Sequence, residues 1–204
     1  GGSVSVYGGS HGTFQPSADY GGSDGAFTYF VSADMLRNDL GIESPDASAN
    51  PLHDPSTQVH GFGYFEDVLD PDDRLSLILG LSAERYQIPN QRGLQPELGL
   101  QVLGGSSYLS DHLDEAQHQL TQYAIVSWQH SSGALDWQSS VSARYSSLDF
   151  EPDWTGDLLY NGIAQNAVKA DSAIGWQTDT SYMLNSAHTL RAGWYLQHDD
   201  ARSN

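Results

Sequence analysis

Cysteine is absent from the 204 residues, which excludes a disulfide scaffold and a thiolate metal site. Basic residues are scarce, since 8 Lys and Arg face 26 Asp and Glu, for a formal net charge of −18. A long-range field of that sign repels polyanions, so we expect no nucleic-acid partner. Disorder is disfavoured as well, because aromatic residues supply 11% of the chain and disordered chains are depleted in them.

Long hydrophobic runs are also missing. The run Leu77-Ile78-Leu79-Gly80-Leu81 is among the longest, whereas a transmembrane helix needs about 20 apolar residues. If the chain crosses a membrane, it must do so as a β-barrel. The sequence starts at Gly1 without an initiator Met or a leader-like segment. We therefore expect residues 1–204 to be an internal fragment of a longer protein, here called the parent protein.

Strand-like segments alternate with short and long connections. The short ones contain the tight-turn sequences Gly22-Ser23-Asp24-Gly25, Asp70-Pro71-Asp72-Asp73, Ser131-Ser132-Gly133-Ala134 and Asn185-Ser186-Ala187-His188. The predicted strands are 3–8, 12–20, 26–37, 58–69, 74–86, 117–130, 135–149, 168–184 and 189–198. Outer-membrane barrels have short periplasmic turns and long extracellular loops, so this alternation favours an antiparallel up-and-down transmembrane barrel wall of about nine strands.

Within the strands, apolar and polar residues alternate with a period of two. Leu75, Leu77, Leu79 and Leu81 alternate with smaller or polar residues. A soluble sheet with its apolar face in a core would give the same pattern. Aromatic residues near the short turns favour lipid, because a row of them is typical of a bilayer interface. The predicted interface aromatics are Phe27, Tyr29, Trp128, Trp137 and Tyr182.

Two segments fit this scheme poorly. Pro16 falls inside the second strand, where it would cost a ladder hydrogen bond unless it lies at a bulge or at the extracellular rim. Leu109, Leu113, Ala116, Leu120 and Ala124 have a helical spacing, which indicates a short helix in the longest loop as an alternative.

Several segments resemble the TonB-dependent receptor family of the Gram-negative outer membrane. They are Gly1-Gly2-Ser3-Val4-Ser5-Val6-Tyr7-Gly8-Gly9-Ser10, Gly12-Thr13-Phe14-Gln15, Tyr29-Phe30-Val31-Ser32, Leu36-Arg37-Asn38-Asp39-Leu40-Gly41, Leu69-Asp70-Pro71-Asp72-Asp73-Arg74-Leu75-Ser76, Trp128-Gln129-His130-Ser131, Leu135-Asp136-Trp137-Gln138 and Asp157-Leu158-Leu159-Tyr160-Asn161-Gly162. These are barrel-wall motifs, and the resemblance runs almost from one end of the chain to the other. They indicate the family but give little information about its ligand.

The resemblance implies a nutrient uptake receptor of the outer membrane. Its ligand would be a siderophore, a corrinoid or a sugar, and its partners would include outer-membrane lipid and lipopolysaccharide. A plug domain, absent from this chain, would contact the TonB-type energy-coupling complex. Such transporters have about 22 strands, so residues 1–204 would be a partial barrel domain without its plug. We expect no enzyme activity and no cofactor.

The predicted outer loops are acidic. Residues 38–57, 87–116 and 150–167 hold eleven Asp and Glu, including Glu43 and Asp46, against Arg92 alone. This favours plain solvation, with a cation-attracting mouth as the alternative. The candidate ligand-binding residues are Tyr108, Asp111, His112, Asp114, Trp154 and Tyr160. His112 and His118 lack the spacing of a preorganised metal site, so no metal is predicted.

Two other functions remain open. A secreted β-sandwich that binds carbohydrate or adheres to surfaces would bury the Trp residues and expose the polar ones. A glycan-active enzyme would use paired carboxylates in a cleft, but acidic residues are too abundant here for any pair to be diagnostic. Dependence on detergent would separate the barrel from both.

Overall fold

The computed structural model describes residues 1–42, 44–45, 48 and 51–204. Nine strands form one antiparallel sheet in which sequence neighbours are also spatial neighbours. The strands are β1 (Gly2–Gly8), β2 (Phe14–Asp24), β3 (Phe27–Asn38), β4 (Ser56–Val68), β5 (Asp73–Gln87), β6 (Ala116–Ser132), β7 (Leu135–Glu151), β8 (Ala167–Asn185) and β9 (His188–Ser203). A 3₁₀ turn at Ser110–His112 and one helix, α1 (Trp154–Asn161), lie in the connections.

All nine predicted strands are present, and the alternation of connection lengths is confirmed. The long connections are residues 39–55, 88–115 and 152–166, and they leave the same end of the sheet. That end is called the long-loop end, and the opposite one the short-turn end. Glu43 and Asp46 lie outside the described residues. Among the described residues, no helix is long and apolar enough to cross a bilayer.

The turns are tighter than predicted, because the strands extend further into them. β2 continues through Asp24 and β6 through Ser132, so Gly25-Ala26 and Gly133-Ala134 alone connect their strands. Gly25 and Gly133 have φ of 61° and 60°. A glycine with positive φ at the first position is typical of a type II′ hairpin turn, whose twist matches that of the strands.

Pro16 lies within β2, as predicted. It is paired with Val6 of β1. The ladder between β2 and β3 pairs Phe14 with Arg37 and resumes only at Ser17 and Asp34. Pro16 therefore occupies an interruption of that ladder, where its missing N–H costs little.

The helical alternative for residues 109–124 is wrong for most of its length. Residues from Ala116 onward belong to β6, and only Ser110–His112 form a helical turn. β5 and β7 both offer β6 a complete ladder of backbone partners, and this outweighs a spacing that fits a helix. The helix α1 lies instead in the connection 152–166, between Asp153 as N-cap and Gly162, whose φ is 75°.

Strand register separates the side chains onto two faces, because directly paired residues point to the same side of a sheet. One row across the sheet is apolar in seven consecutive strands. It consists of Tyr29, Phe65, Leu77, Val126, Val141, Trp176 and Leu196. The row next to it, one residue further along each strand, points to the opposite side. It consists of Thr28, Glu66, Ser76, Ser127, Ser140, Gln177 and Tyr195. These rows define an apolar face and a polar face.

The apolar face is open. Val141 is 52% exposed, Trp176 44% and Leu196 59%. The buried apolar residues of the described chain are Ala116, Leu159 and Ala173, of which Leu159 belongs to α1 and not to the sheet. No second sheet covers this face within the described residues. The layer that a β-sandwich needs is therefore not part of this fold.

The sheet does not close on itself. β1 pairs only with β2, and β9 pairs only with β8. Each of them therefore has one edge without a strand partner among the described residues. The fold is an all-β, up-and-down antiparallel sheet, which agrees with the coarser part of the prediction.

The turn at Gly133 provides a test of the hairpin geometry. Gly133→Val should lower the free energy of unfolding of the parent protein by about 1–2 kcal/mol, because a Cβ disfavours positive φ. Gly133→Asn should cost less, since Asn tolerates this conformation. Chemical denaturation of both variants measures the difference. Equal losses for Val and Asn would contradict the assigned turn.

Candidate functional site

The connections 88–115 and 152–166 pack together at the long-loop end. Asp153 links them: its carboxylate accepts hydrogen bonds from the backbone N–H groups of Thr155 (3.1 Å) and Gly156 (2.9 Å) at the start of α1. The same carboxylate accepts from the Tyr108 hydroxyl (2.6 Å) and from the backbone N–H of Asp114 (3.2 Å). A single side chain therefore caps the helix and holds the neighbouring loop.

A second tyrosine strengthens this packing. The Tyr160 hydroxyl lies 2.7 Å from the carbonyl oxygens of both Leu94 and Tyr108. Leu159 is 1% exposed and Ser110 is fully buried. We call residues 108–115 and 153–160, together with Leu94, the loop cluster.

Burial and crowding of carboxylates affect protonation in the loop cluster. Burial raises the pKa of Glu115 to about 8, and the nearby Asp157 carboxylate adds to the rise. Burial also raises the pKa of Tyr108 to about 12, together with its hydrogen bond to Asp153. Burial opposes the charged form of Asp153, but the Tyr108 hydroxyl and the backbone N–H groups of Gly156, Asp114 and Thr155 outweigh it and hold the Asp153 pKa below its ordinary value.

All six predicted ligand-binding residues lie in the loop cluster, and four of them take part in its internal contacts. Tyr108, Asp114 and Tyr160 take part in the hydrogen bonds described above, and the His112 ring lies edge-on to Tyr108 at 6.3 Å. The Asp111 carboxylate accepts a hydrogen bond from the backbone N–H of Gly93 (3.0 Å). Trp154 is 61% exposed at the start of α1. The side chains of Tyr108 and Tyr160 are half-buried, so among the predicted Tyr and Trp residues of the loops Trp154 offers the most open ring surface.

The most connected residue, Asp153, was not among the predicted site residues. An Asp directly before Trp154-Thr155-Gly156 is an N-cap signal that the sequence does contain. The contact between Glu115 and Asp157 has no local sequence signal, because it joins two separate loops.

His112 and His118, the two histidines considered as a metal pair, do not converge. His118 lies 3.4 Å from Glu151, whereas His112 contacts Tyr108. Within the described residues, no group of three or more His, Asp or Glu side chains is arranged to hold a metal ion.

The five predicted interface aromatics share the apolar face near the short-turn end. Their positions follow from the register, in which Phe27 aligns with Asp67 and Leu75, and Trp128 lies opposite Leu75. Trp128 and Trp137 are 4.8 Å apart, and Phe27 stacks on Phe65 at 6.4 Å. The Trp128 indole N–H donates to Asp73 (2.7 Å). Such a ring, apolar in body with one polar end, suits a boundary between hydrocarbon and water.

The polar face carries paired charges. His60 Nδ1 lies 2.9 Å from Asp34, and Arg144 lies 2.6 Å from Asp171. Ser127 and Ser140 hydroxyls are 2.7 Å apart. These groups need water or polar partners, so this face is suited to a hydrated space.

Comparison with known proteins adds no family assignment. No model of a known protein family matches the sequence, and a search of curated proteins finds no significant match.

The Glu115 carboxyl makes the loop cluster pH-dependent. Its folded-state pKa is about 8 against an ordinary value of 4.5. Between these two pKa values, the folded loop holds a proton that the opened loop releases. Protonation of Glu115 therefore stabilises the folded loop fully below pH 4.5, and this stabilisation is lost as the pH rises through about 8. In the parent protein, protection of the Ile88 N–H, which donates to the Glu115 carbonyl, should fall over this range.

Hydrogen exchange, corrected for intrinsic rates, measures this effect. Glu115→Gln should make the protection independent of pH, whereas Glu97→Gln, an exposed change in the same connection, should leave the dependence intact. Unchanged pH dependence in Glu115→Gln would show that another group controls the loop.

Proposed function

We propose that this chain is a section of the lipid-facing wall of an outer-membrane uptake receptor of the TonB-dependent type. The observation that carries the proposal is the continuous apolar face, open across the sheet, with a polar face one residue out of phase. A transmembrane barrel places these two faces toward hydrocarbon and toward a hydrated interior. A soluble sandwich would cover the Trp residues of the apolar face with a second sheet, and none is present in the described residues.

Strand length supports the proposal. β6 and β7 have 17 residues each and β8 has 19. A tilted strand crosses the bilayer with about 9–11 residues. The surplus carries the strands beyond the membrane at the long-loop end, where the loop cluster begins. The free edges of β1 and β9 would pair with further strands of the parent protein, since a barrel leaves no open edge.

The loop cluster would face the outside and contribute to nutrient capture. Trp154 is the best candidate for stacking on a ligand, because its ring is exposed while α1 fixes its position. Energy coupling would require a plug domain outside this chain. We assign no catalytic role to any of its residues.

Arginine substitution on the two faces tests the lipid-facing assignment. Leu77 lies between Phe65 and Val126 on the apolar face, and Ser76 lies opposite Glu66 on the polar face. Leu77→Arg should destabilise the parent barrel by about 2–4 kcal/mol near the bilayer midplane. Ser76→Arg should cost much less, because an Arg there meets a carboxylate and water. Folding into lipid vesicles, followed by heat-modifiable gel mobility, reports the difference. Equal damage from both substitutions, or a wild type that is monomeric without detergent, would overturn the proposal.

Cysteine labelling tests the orientation. Cysteines introduced at Ser106 and Ile163, in the connections 88–115 and 152–166, should react with a membrane-impermeant maleimide on intact cells that produce the parent protein. Cysteines at Ala26 and Ala187, in the turns of the other end, should react only after the outer membrane is permeabilised. Labelling of all four positions on intact cells would contradict the assigned topology.

A further inference from the structure

Exposed leucines are concentrated in the connection 88–115. Leu94, Leu98, Leu100 and Leu103 fall within ten residues of sequence, and each of them is at least 42% exposed. Single apolar residues on a surface are ordinary, whereas a contiguous group of them marks a binding surface. Contact between these leucines therefore decides whether they have a function.

Two of the leucines meet at the carboxyl end of α1. A Cβ at Gly162, the C-cap of that helix, would lie 3.5 Å from Leu98 Cδ1 and 3.8 Å from Leu100 Cδ1. Ile163, the next residue in sequence, is 60% exposed. We call Leu98, Leu100 and Ile163 the aliphatic patch. It joins the connection before β6 to the connection after β7.

Leu103 combines full exposure with an unfavourable backbone conformation. Val102 and Gly105 exchange two backbone hydrogen bonds, of 2.8 and 2.9 Å, around Leu103 and Gly104. The two enclosed residues have φ of 50° and 79°, which is typical of a type I′ turn. Asn and Gly favour this turn, and a larger side chain opposes it. Leu103 gains no burial within the described chain to offset this strain, and strained residues are typical of sites that contact a ligand.

The polar groups beside the aliphatic patch are engaged with one another. The Tyr160 hydroxyl donates to backbone carbonyl oxygens. Asn161, in the last turn of α1, donates to the Asp157 carboxylate (3.1 Å), and Asp114 accepts from the Gln87 amide (2.7 Å). A ligand that reaches this end of α1 therefore meets apolar side chains whose surface is still open.

The charge around the patch disfavours an anionic ligand. The connections 88–115 and 152–166 contain six Asp and Glu residues, against Arg92 as the single Lys or Arg. Glu97 is exposed and directly precedes Leu98. The last turn of α1 has no basic residue, so no cationic side chain of that turn balances the partial negative charge at the carboxyl end of the helix. These charges favour a cation where the patch lies.

The size of the patch suits a small molecule. Full burial of a leucine side chain corresponds to about 60–120 Å² of apolar surface. Leu98, Leu100 and Ile163 are each about half exposed, so together they offer roughly 100–200 Å². A stable protein partner needs about 800 Å² on each side. A chain of eight carbons has roughly 250 Å² of apolar surface and can cover the patch with one side.

We propose that the connections 88–115 and 152–166 capture an aliphatic amine. Its hydrocarbon part contacts the aliphatic patch, and its ammonium group lies at the negative, carboxyl end of α1. Leu103 follows Leu100 by three residues, at most about 11 Å along the chain, and is within reach of the same hydrocarbon. This inference rests on the proposed function, which places these connections outside the cell, and it names their substrate class.

The test uses the parent protein in nanodiscs of phosphatidylcholine, a zwitterionic lipid, with octylammonium as the probe. Equilibrium dialysis of the radiolabelled amine, corrected for uptake by empty nanodiscs, measures its affinity. Octanoate has a chain of the same length and the opposite charge, so it should bind about tenfold more weakly than octylammonium. Equal affinities for the two ions would overturn the assignment of an amine, and this comparison requires no variant.

Substitution of the patch tests the location of the site. Leu98→Ser/Leu100→Ser should weaken octylammonium binding about tenfold or more, because the alkyl chain loses two apolar contacts. The matched control is Leu40→Ser/Ile42→Ser, which removes two residues of similar exposure from the connection 39–55 and should leave the affinity unchanged. Heat-modifiable gel mobility checks that each variant is folded.

Unchanged affinity in the patch variant, or an equal loss in the control, would overturn the inference while the protein still inserts into nanodiscs. A parent protein that stays monomeric without lipid or detergent would instead overturn the proposed function.

Discussion

The register of the antiparallel ladders is the constraint on which the rest of this structure depends. The side-chain period is two, so a slip of one residue between any two strands would move every Leu of β5 to the polar face. Eight consecutive ladders keep the same sorting from β1 to β9. The apolar face, the polar face and the alignment of the aromatics near the short-turn end all follow from it, because each is a set of residues far apart in sequence that the pairing brings into line.

The same ladders place the loops. Since each strand reverses direction, the connections 88–115 and 152–166 leave the same end of the sheet, on either side of the hairpin of β6 and β7. Their contact then depends on few residues. Asp153 caps α1 and receives the Tyr108 hydroxyl, so helix formation and loop docking are coupled through one carboxylate. At this contact, burial and the neighbouring Asp157 raise the pKa of Glu115 to about 8, which favours its protonated form at neutral pH.

Much of the sheet could be predicted from the sequence, because alternation and turn chemistry are local signals. The strands follow from these signals, and so does the placement of the aromatics from Phe27 to Tyr182 on one face near the short turns, whereas their role at a bilayer interface stays a prediction. The boundaries of the turns were predicted less accurately than the strands. Asp24 and Ser132 are residue types typical of turns, but both still pair with neighbouring strands. The helical spacing of residues 109–124 was misleading, because pairing on both sides decides the conformation of β6. In the candidate site, Tyr108 and Tyr160 were recognised as loop aromatics, but the Glu115–Asp157 contact is set by tertiary packing and could not be read from either loop.

The open apolar face also explains the composition of the chain. Ordering a residue costs about 1–2 kcal/mol of backbone entropy, and burial of a large apolar side chain returns about 1.5–3 kcal/mol. With Ala116, Leu159 and Ala173 as the buried apolar residues of the described part, the sheet has little core of its own to offset this cost. In the proposed barrel wall, the free energy would come from the medium that covers Leu77, Val141 and Trp176. A protein layer would require these side chains to interlock with partners of fitted shape. Fluid hydrocarbon would require only that they be apolar, which agrees with a face on which Leu, Val, Ala and Gly follow one another without a regular pattern of size.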